Sequence, residues 1–421
     1  MADALAGNHS YIEGRGKDFC RGCHGRELFS ALNLGSVPIA NELLINLSGA
    51  VEKFPLHLRV CGNCGLGQVG DVTTPERIFR DYRYLSSVSS TFLSHASRYV
   101  DDQMNKGWFQ SGEWVLEIAS NDGYLLKNFL DKGINVVGIE PAENVALISR
   151  SLGIQTISEF FSSELALVIL QKYGYPKLII VNNVLAHVPD LRDFILGLSI
   201  LTDVRTVISI ENPSILNILQ MNQFDTIYHE HYSYLSATFL NHILIDFKLK
   251  LTDIEEIETH GGSNRYWVSS SASKTQVSDS VEEILAKENN AGIKTQSAWT
   301  EASLTSIETI ESFSNWLEIL NSKNAVVYGY GAAAKASTLL NVAGVRKELI
   351  KAIADSSQEK QGRFMPGAMI PIIKPLELFS SNATDVIIFP WNLAKELCEK
   401  IRAEIPGEIN IWRLIPELEK L

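Results

Sequence analysis

Four of the five cysteines fall in two C-x-x-C pairs, Cys20/Cys23 and Cys61/Cys64, while Cys398 stands apart in a helical context. Each pair presents two thiolates about one coordination edge apart, and Gly22, Gly25, Gly62 and Gly65 permit the tight backbone this requires. Two such knuckles suit a tetrahedral zinc ion. Four sulfurs leave no open position for water, so the metal is expected to be structural. It would stabilise a region of about sixty residues, too small to rely on its own core. The competing reading, a pair of redox dithiols, is disfavoured because neither pair opens a βαβ unit. Cys398 is most simply a small buried hydrophobe.

At about 150 residues per domain, a chain of 421 residues is expected to hold roughly three. Hydrophobic residues make up 45% and charged residues 20%, a composition that builds packed cores rather than disorder. The net charge of −12 argues against a surface that tracks nucleic-acid phosphates and leaves room only for a local basic pocket. No apolar run approaches the ~18 residues of a bilayer span, and no basic-then-apolar secretion signal opens the chain, so no membrane contact and a cytoplasmic location are expected. The first sixteen residues are small, polar and Gly-rich, with Ile12-Glu13-Gly14-Arg15 resembling a protease-cleavage linker. Residues 1–16 are therefore expected to form a flexible leader.

From about residue 85, short β-branched strands alternate with amphipathic helical segments, the pattern of an α/β fold with a parallel sheet covered on both faces. Strands are expected at Trp114–Ile118, Val136–Glu140, Lys177–Asn182 and Thr206–Glu211, with a late pair near Leu249–Glu258 and Arg265–Ser269. The first strand runs into a turn of small and polar residues that contains Glu117, Ala119, Asn121, Asp122 and Gly123 and is followed by an apolar helix. A ligand at such a turn can approach the backbone and the free N–H groups behind it. The second strand ends at Glu140-Pro141, where a carboxylate can accept both hydroxyls of a ribose. With no G-x-G-x-x-G pyrophosphate loop in this unit, the pair of signals points to S-adenosylmethionine rather than a dinucleotide. Asn182, at the end of the third strand, completes the expected cofactor set; the alternative for Asp122 is a helix N-cap.

Amide and imidazole groups, from Asn182 and Asn183 to His187, lie beyond the third strand at the same carboxyl edge. Further on, Tyr228-His229-Glu230-His231 crowds three titratable types into four positions. Proton abstraction needs an imidazole near neutral pKa, a carboxylate to hold its tautomer and a phenol to stabilise an oxyanion. A second metal site is disfavoured, because an i,i+2 histidine pair diverges on a helix and no facing ligand set is apparent.

Taken together, the two knuckles, the Glu117–Leu126 turn, the Tyr228–His231 run, the His260–Arg265 run (H-G-G-S-N-R) and Gly329–Asn341 resemble the sugar C-methyltransferases that act on nucleotide-linked keto-sugars. The resemblance covers nearly the whole chain and implies a small zinc-binding domain, a central Rossmann-like methyltransferase sheet and a C-terminal Rossmann-like domain. It implies that His231 is the general base, Tyr228 and Glu230 its partners and His187 an assisting group. Asn183 and His229 fall to the substrate side. The implied chemistry is removal of the acidic C3 proton beside a 4-keto group, followed by in-line attack of the enolate on the sulfonium methyl. The oxyanion donor is Tyr228 or His187, and Glu230 either orients the imidazole or binds a sugar hydroxyl. One departure is Ala119, where the family commonly has glycine; alanine is tolerated there if its φ is negative.

Residues 276–320 show helical spacing of apolar positions and are expected to pack between domains. A further strand-turn-helix unit is expected with Ala325–Tyr328 as strand, Gly329–Gly331 as turn and Ala332–Asn341 as helix. In the family reading this unit binds the sugar nucleotide, with backbone N–H groups from Gly331 onward and Lys335 holding phosphates and Arg363 a weaker candidate. The expected division is 17–80, 81–275, 276–320 and 321–421. The alternatives are an O- or N-methyltransferase, an NAD-dependent oxidoreductase using the C-terminal turn, and a non-catalytic binding module carried by the knuckles. Oligomeric state stays open.

Overall fold

The computed structural model describes residues 17–47, 51–70, 73–79, 85–88, 90–405 and 407–421. The expected leader and the expected boundary at residue 80 lie outside these residues. The fold is mixed α/β, built on three sheets. The central sheet has seven strands in the spatial order Leu249–Ile257, Ser263–Ser270, Val207–Pro213, Leu178–Asn182, Trp114–Ile118, Asn135–Ile139, Gln155–Ile157. The last five are mutually parallel, and the first two form an antiparallel hairpin against Val207–Pro213. All five residues of Trp114–Ile118 are buried, as a strand covered on both faces requires.

Every expected strand of this sheet is present within a few residues, and Gln155–Ile157 is an additional edge strand. With only three residues, it is too short to show a period of its own. Chain order reverses between Trp114–Ile118 and Leu178–Asn182, so the crevice at their carboxyl ends is the topological switch point where ligands bind in such sheets.

The N-terminal sheet pairs Leu28–Val37 with Phe54–Cys61, then Gly67–Gln68, all antiparallel. Its fourth strand, Ser233–Tyr234, comes from the middle of the chain and aligns Tyr234 with Gly67 and Ser233 with Gln68. Glycine is needed at position 67, since a Cβ there would fall 2.5 Å from Ile215 Cδ1.

The C-terminal sheet runs Ile372–Ile373, Ile353–Ala354, Val327–Tyr330, Asp385–Ile388, Asn410–Arg413, Glu419–Lys420, parallel until the last pair. The expected strand is displaced by two residues. Gly329 and Tyr330 continue the ladder with Ile353/Ala354 and Ile387/Ile388, so the chain turns at Gly331 (φ +90°) and the helix starts at Ala334.

Two helices, Asp279–Asn290 and Gln296–Ser322, occupy the expected helical stretch. Trp299, Phe313 and Leu317 from the second share one apolar core with Leu56, Leu58 and Val60 of the N-terminal sheet and Val327, Leu339 and Leu340 of the C-terminal unit. Truncating Phe313, which is fully buried there, is expected to cost about 3–5 kcal/mol. Phe313→Ala should therefore lower the thermal unfolding midpoint by several degrees, measured by calorimetry.

Candidate active site

The four cysteine sulfurs lie within 4.8 Å of one another. The Cys20–Cys64 and Cys23–Cys61 separations are both 3.6 Å. A zinc tetrahedron with Zn–S bonds of ~2.3 Å has edges of about 3.8 Å, so the donor set fits the ion, and Asn63 Nδ2 donates to Cys23 Sγ at 3.6 Å. Among the described residues no other group of three or more potential ligands converges. The cysteines pack into the same apolar core as Leu235, Phe239 and Leu240, so the metal site is continuous with the central fold.

At the switch point, Ala119, Asn121 and Gly123 all take the left-handed conformation, with φ of 55°, 49° and 83°. This corrects the expectation of a negative φ at Ala119. An alanine in that region costs roughly 1–2 kcal/mol, and surrounding contacts hold it. Asp122 caps no helix; its Oδ2 accepts from Ser87 N at 3.1 Å, while Asn121 Oδ1 accepts from Ser86 N at 3.0 Å, so residues 86–87 lie over the turn. Glu140 accepts from Asn121 N at 3.0 Å and Ala142 N at 2.9 Å, which orients its carboxylate toward the turn.

Burial pushes the Glu140 carboxyl up to about 7 against the lowering effect of those two N–H groups. Glu117 is driven well above the usual range by burial and by Asp122 and Glu140. Three buried oxygens, Glu117 Oε2, Asp122 Oδ1 and Asn182 Oδ1, have no hydrogen-bond partner among the described residues. All three are acceptors when the carboxyls are ionised, matching a cationic ligand rich in N–H and O–H donors such as S-adenosylmethionine. Pro141 and Asn183 flank the same crevice, and Asn183 N donates to Glu211 O at 2.6 Å.

The Tyr228–His231 run is a single turn closed by His231 N donating to Tyr228 O at 3.0 Å. Such a turn puts its first and fourth residues on one side and its middle two on the other. Tyr228 and His231 are accordingly half-buried, with Tyr228 Oη 2.8 Å from His231 Nε2, whereas His229 and Glu230 are buried. The His187 ring stands edge-on to His231 with centroids 4.7 Å apart. Its Nδ1 donates to the Glu230 carbonyl at 2.7 Å, leaving Nε2 as the unprotonated nitrogen. Burial lowers His187 to about 4, so this ring is neutral at physiological pH. At Nε2 it can therefore accept a hydrogen bond but not donate one.

Two of the expected side chains make their contacts elsewhere. His229 turns away from the site: its Nε2 donates to Pro55 O at 3.3 Å and its ring packs edge-on against Phe54. The Glu230 carboxylate faces the N-terminal segment, where Oε1 accepts from Asn41 N at 2.9 Å, so it is the Glu230 backbone that orients an imidazole. Tyr234 was not anticipated. Its hydroxyl accepts from Tyr228 N at 3.1 Å and its ring lies 5.8 Å from that of His231. The i,i+3 spacing of 228, 231 and 234 carries that signal.

Glu211 and Arg265 also escaped the sequence reading as a pair. They meet at 2.9 Å with His95 at 3.1 Å from the same carboxylate, and Glu211 is held down to about 2, despite its burial, by the His95 hydrogen bond and the Arg265 charge. Arg265 is the last residue of the His260–Arg265 run, which explains its cation.

The C-terminal turn is internally satisfied. Gly331 N donates to Ala354 O at 2.7 Å and Ala332 N to Asp355 Oδ2 at 2.7 Å, so these amides are engaged within the fold rather than offered to a phosphate. Arg363 donates to Glu359 O at 2.8 Å, and the cation at the turn is instead Lys360, 2.8 Å from Ala332 O. Lys335 points toward the central unit: it lies 4.0 Å over the Trp391 ring and 3.2 Å from Asn392 Oδ1, with Asp225 nearby. Burial lowers it to about 8 and raises Asp225 to about 6.

Family models match three consecutive stretches: a zinc binding domain over 20–79, a methyltransferase domain over 92–254 and a C-methyltransferase C-terminal domain over 258–411. The chain is 30% identical to the C-methyltransferase NovU of Streptomyces niveus over 384 residues, 91% of each chain. This protein belongs to the C-methyltransferase family. The methyltransferase is S-adenosylmethionine-dependent, with zinc at the four cysteines.

Among solved structures, a SAM-dependent methyltransferase from Anabaena variabilis is 14% identical with a TM-score of 0.34, covering 42% of this chain and 84% of that one. Magnesium protoporphyrin IX methyltransferase from Synechocystis, with bound SAM, is 14% identical with a TM-score of 0.32, covering 42% and 78%. No helix among the described residues of this C-methyltransferase is long and apolar enough to cross a membrane.

Ribose hydroxyls donate best to an ionised carboxylate, and burial pushes Glu140 up to about 7, so a ribose held there would bind better at higher pH. Affinity for S-adenosylmethionine is therefore expected to rise several-fold between pH 6 and pH 8, measured by titration calorimetry. Glu140→Gln should bind more weakly and lose that pH dependence.

Proposed function

We propose that this C-methyltransferase adds a methyl group to C3, beside the keto group, of a nucleotide-linked 4-keto-deoxysugar through an enolate formed by histidine. The observation that carries this reading is the Tyr228–His231 hydrogen bond of 2.8 Å with a neutral imidazole, His187, against the same ring. A carbon nucleophile must be made before a methyl can be accepted, and a base beside a phenol is the minimum apparatus for enolising a ketone. S-adenosylmethionine supplies the electrophilic methyl when bound. With the sugar in place, Tyr228 turns its hydroxyl from His231 to the carbonyl oxygen, and Nε2 of His231 takes the C3 proton. Tyr228 then holds the enolate oxygen until carbon–methyl bond formation restores the ketone, and the imidazolium loses its proton to solvent. Nε2 of His187 accepts a hydrogen bond from a substrate hydroxyl.

Lys335, which interacts with Asp225 just before the Tyr228–His231 turn, is assigned to the nucleotide phosphates. The division at 17–80, 81–275, 276–320 and 321–421 follows this allocation of zinc, cofactor, connection and nucleotide. A diffusible sugar nucleotide and the lack of a membrane-crossing helix among the described residues favour the cytoplasm.

Incubation with labelled S-adenosylmethionine and a panel of nucleotide-linked 4-keto-deoxysugars, followed by locating the new methyl by NMR, tests the reaction. A methyl on C3 is expected; one on oxygen or nitrogen rejects the enolate route. His231→Asn should retain cofactor affinity but lose about 10²–10⁴ in turnover, and wild-type turnover would remove His231 from the mechanism. In D₂O without cofactor, the wild-type enzyme should exchange the C3 proton of the accepted sugar, and no exchange is expected in His231→Asn.

A further inference from the structure

Between the two cysteines of the first knuckle sits Arg21, only 3% exposed. Its backbone N–H donates to Gln68 Oε1 at 3.0 Å, fixing the knuckle to the third strand of the N-terminal sheet. Its guanidinium reaches away from the sulfurs. Nη1 donates to Pro189 O at 3.2 Å, Nη2 to Val69 O at 2.6 Å, and Cζ lies 5.4 Å from the centroid of the Tyr232 ring.

These three contacts fall on the two segments that carry the histidines. Pro189 is two residues beyond His187. Tyr232 directly follows His231, and its carbonyl accepts from Val69 N at 3.1 Å, so the residue whose carbonyl Arg21 grips is the same one that holds Tyr232. One side chain thus spans the His187 loop, the His231 turn and the strand end between them. A guanidinium suits the task because its planar fork offers several donors at fixed angles while its face stacks on an aromatic ring.

We propose that Arg21 is a positioning residue through which the zinc-ordered knuckle sets the distance and angle between His187 and His231. This inference rests on the histidine chemistry proposed above. Zinc orders the loop Cys20–Cys23, the loop aims Arg21, and Arg21 ties both histidine segments to one point. The metal then influences turnover without touching substrate, which would explain why a structural ion is built into the same core as the reaction site. Arg21 moves no proton and forms no bond to substrate.

The test compares Arg21→Lys and Arg21→Ala with wild type for zinc content, S-adenosylmethionine affinity by calorimetry, kcat and KM for the sugar nucleotide that wild type methylates, and the ¹⁵N imidazole spectrum. Both variants are expected to hold one zinc per chain and to bind cofactor within about two-fold of wild type. Misplacement by an ångström costs about 10²-fold in rate, so kcat should fall by that order in Arg21→Ala with KM little changed. Added guanidinium should restore part of it, and Arg21→Lys should be intermediate. The His187 signal should lose its single Nδ1–H tautomer in Arg21→Ala.

Wild-type kcat in Arg21→Ala would overturn the proposal. So would loss of zinc and cofactor binding in proportion to activity in both variants, which would make Arg21 a folding residue. His231→Asn, measured alongside, separates the two readings: if it alone is inactive, only the role of Arg21 falls, and if it is fully active, the histidine mechanism falls first.

Discussion

The attachment of Ser233–Tyr234 to the N-terminal sheet is the constraint on which the site depends. By pairing with Gly67–Gln68, this two-residue strand pulls the preceding turn against a sheet formed more than a hundred residues earlier. The two middle residues of the turn and the residue after it are held from that side: His229 on Pro55, Glu230 on Asn41 and Tyr232 on Val69 and Thr73. Two polar residues are buried with these partners so that the other two, Tyr228 and His231, are presented at a fixed separation. An unsupported four-residue turn would sample many rotamers of both rings, and a proton transfer needs one.

Two consequences follow for the architecture. The metal-binding region walls the Tyr228–His231 turn, sharing apolar cores with the central sheet through the cysteines and with the long helix through Leu56, Leu58 and Val60. The C-terminal unit closes the opposite side. Thr338 donates to Ile227 O at 3.0 Å and Trp391 Nε1 to Asp225 Oδ2 at 2.8 Å, both immediately before the turn. The segment 225–234 is therefore clasped between sheets from both ends of the chain, while the cofactor crevice is supplied by the middle.

Electrostatics separate the two halves of the site. The crevice around Glu117, Asp122 and Glu140 is acidic, and Glu117 and Glu140 are pushed up by burial and by the carboxylates beside them, a strain that a cationic ligand would relieve. The histidine side has the opposite bias, with burial holding His187 and His229 as neutral rings. Glu211 and Arg265, directly opposite each other on neighbouring strands, form a buried pair of opposite charges, with His95 hydrogen-bonded to the same carboxylate.

Local chemistry made much of this legible in the residue order. C-x-x-C spacing is a property of one turn, and strand-turn signals are properties of a few neighbours, so the zinc ligands, the central strands and the turn at Ala119 could be read directly. The identity of the acidic, amide and histidine groups at the carboxyl edge was readable for the same reason. Side-chain direction was not. His229 and Glu230 are chemically as suited to catalysis as His231, and only pairing of Ser233–Tyr234 with a distant strand turns them inward. Likewise, whether the amides near Gly331 are open to a phosphate depends on Asp355 arriving from the next strand, and the left-handed φ at Ala119 depends on packing around the turn. Sequence determined which groups the protein owns and which local turns they occupy; tertiary structure decided which of them face one another, because burial and long-range strand pairing act between residues that no local pattern connects.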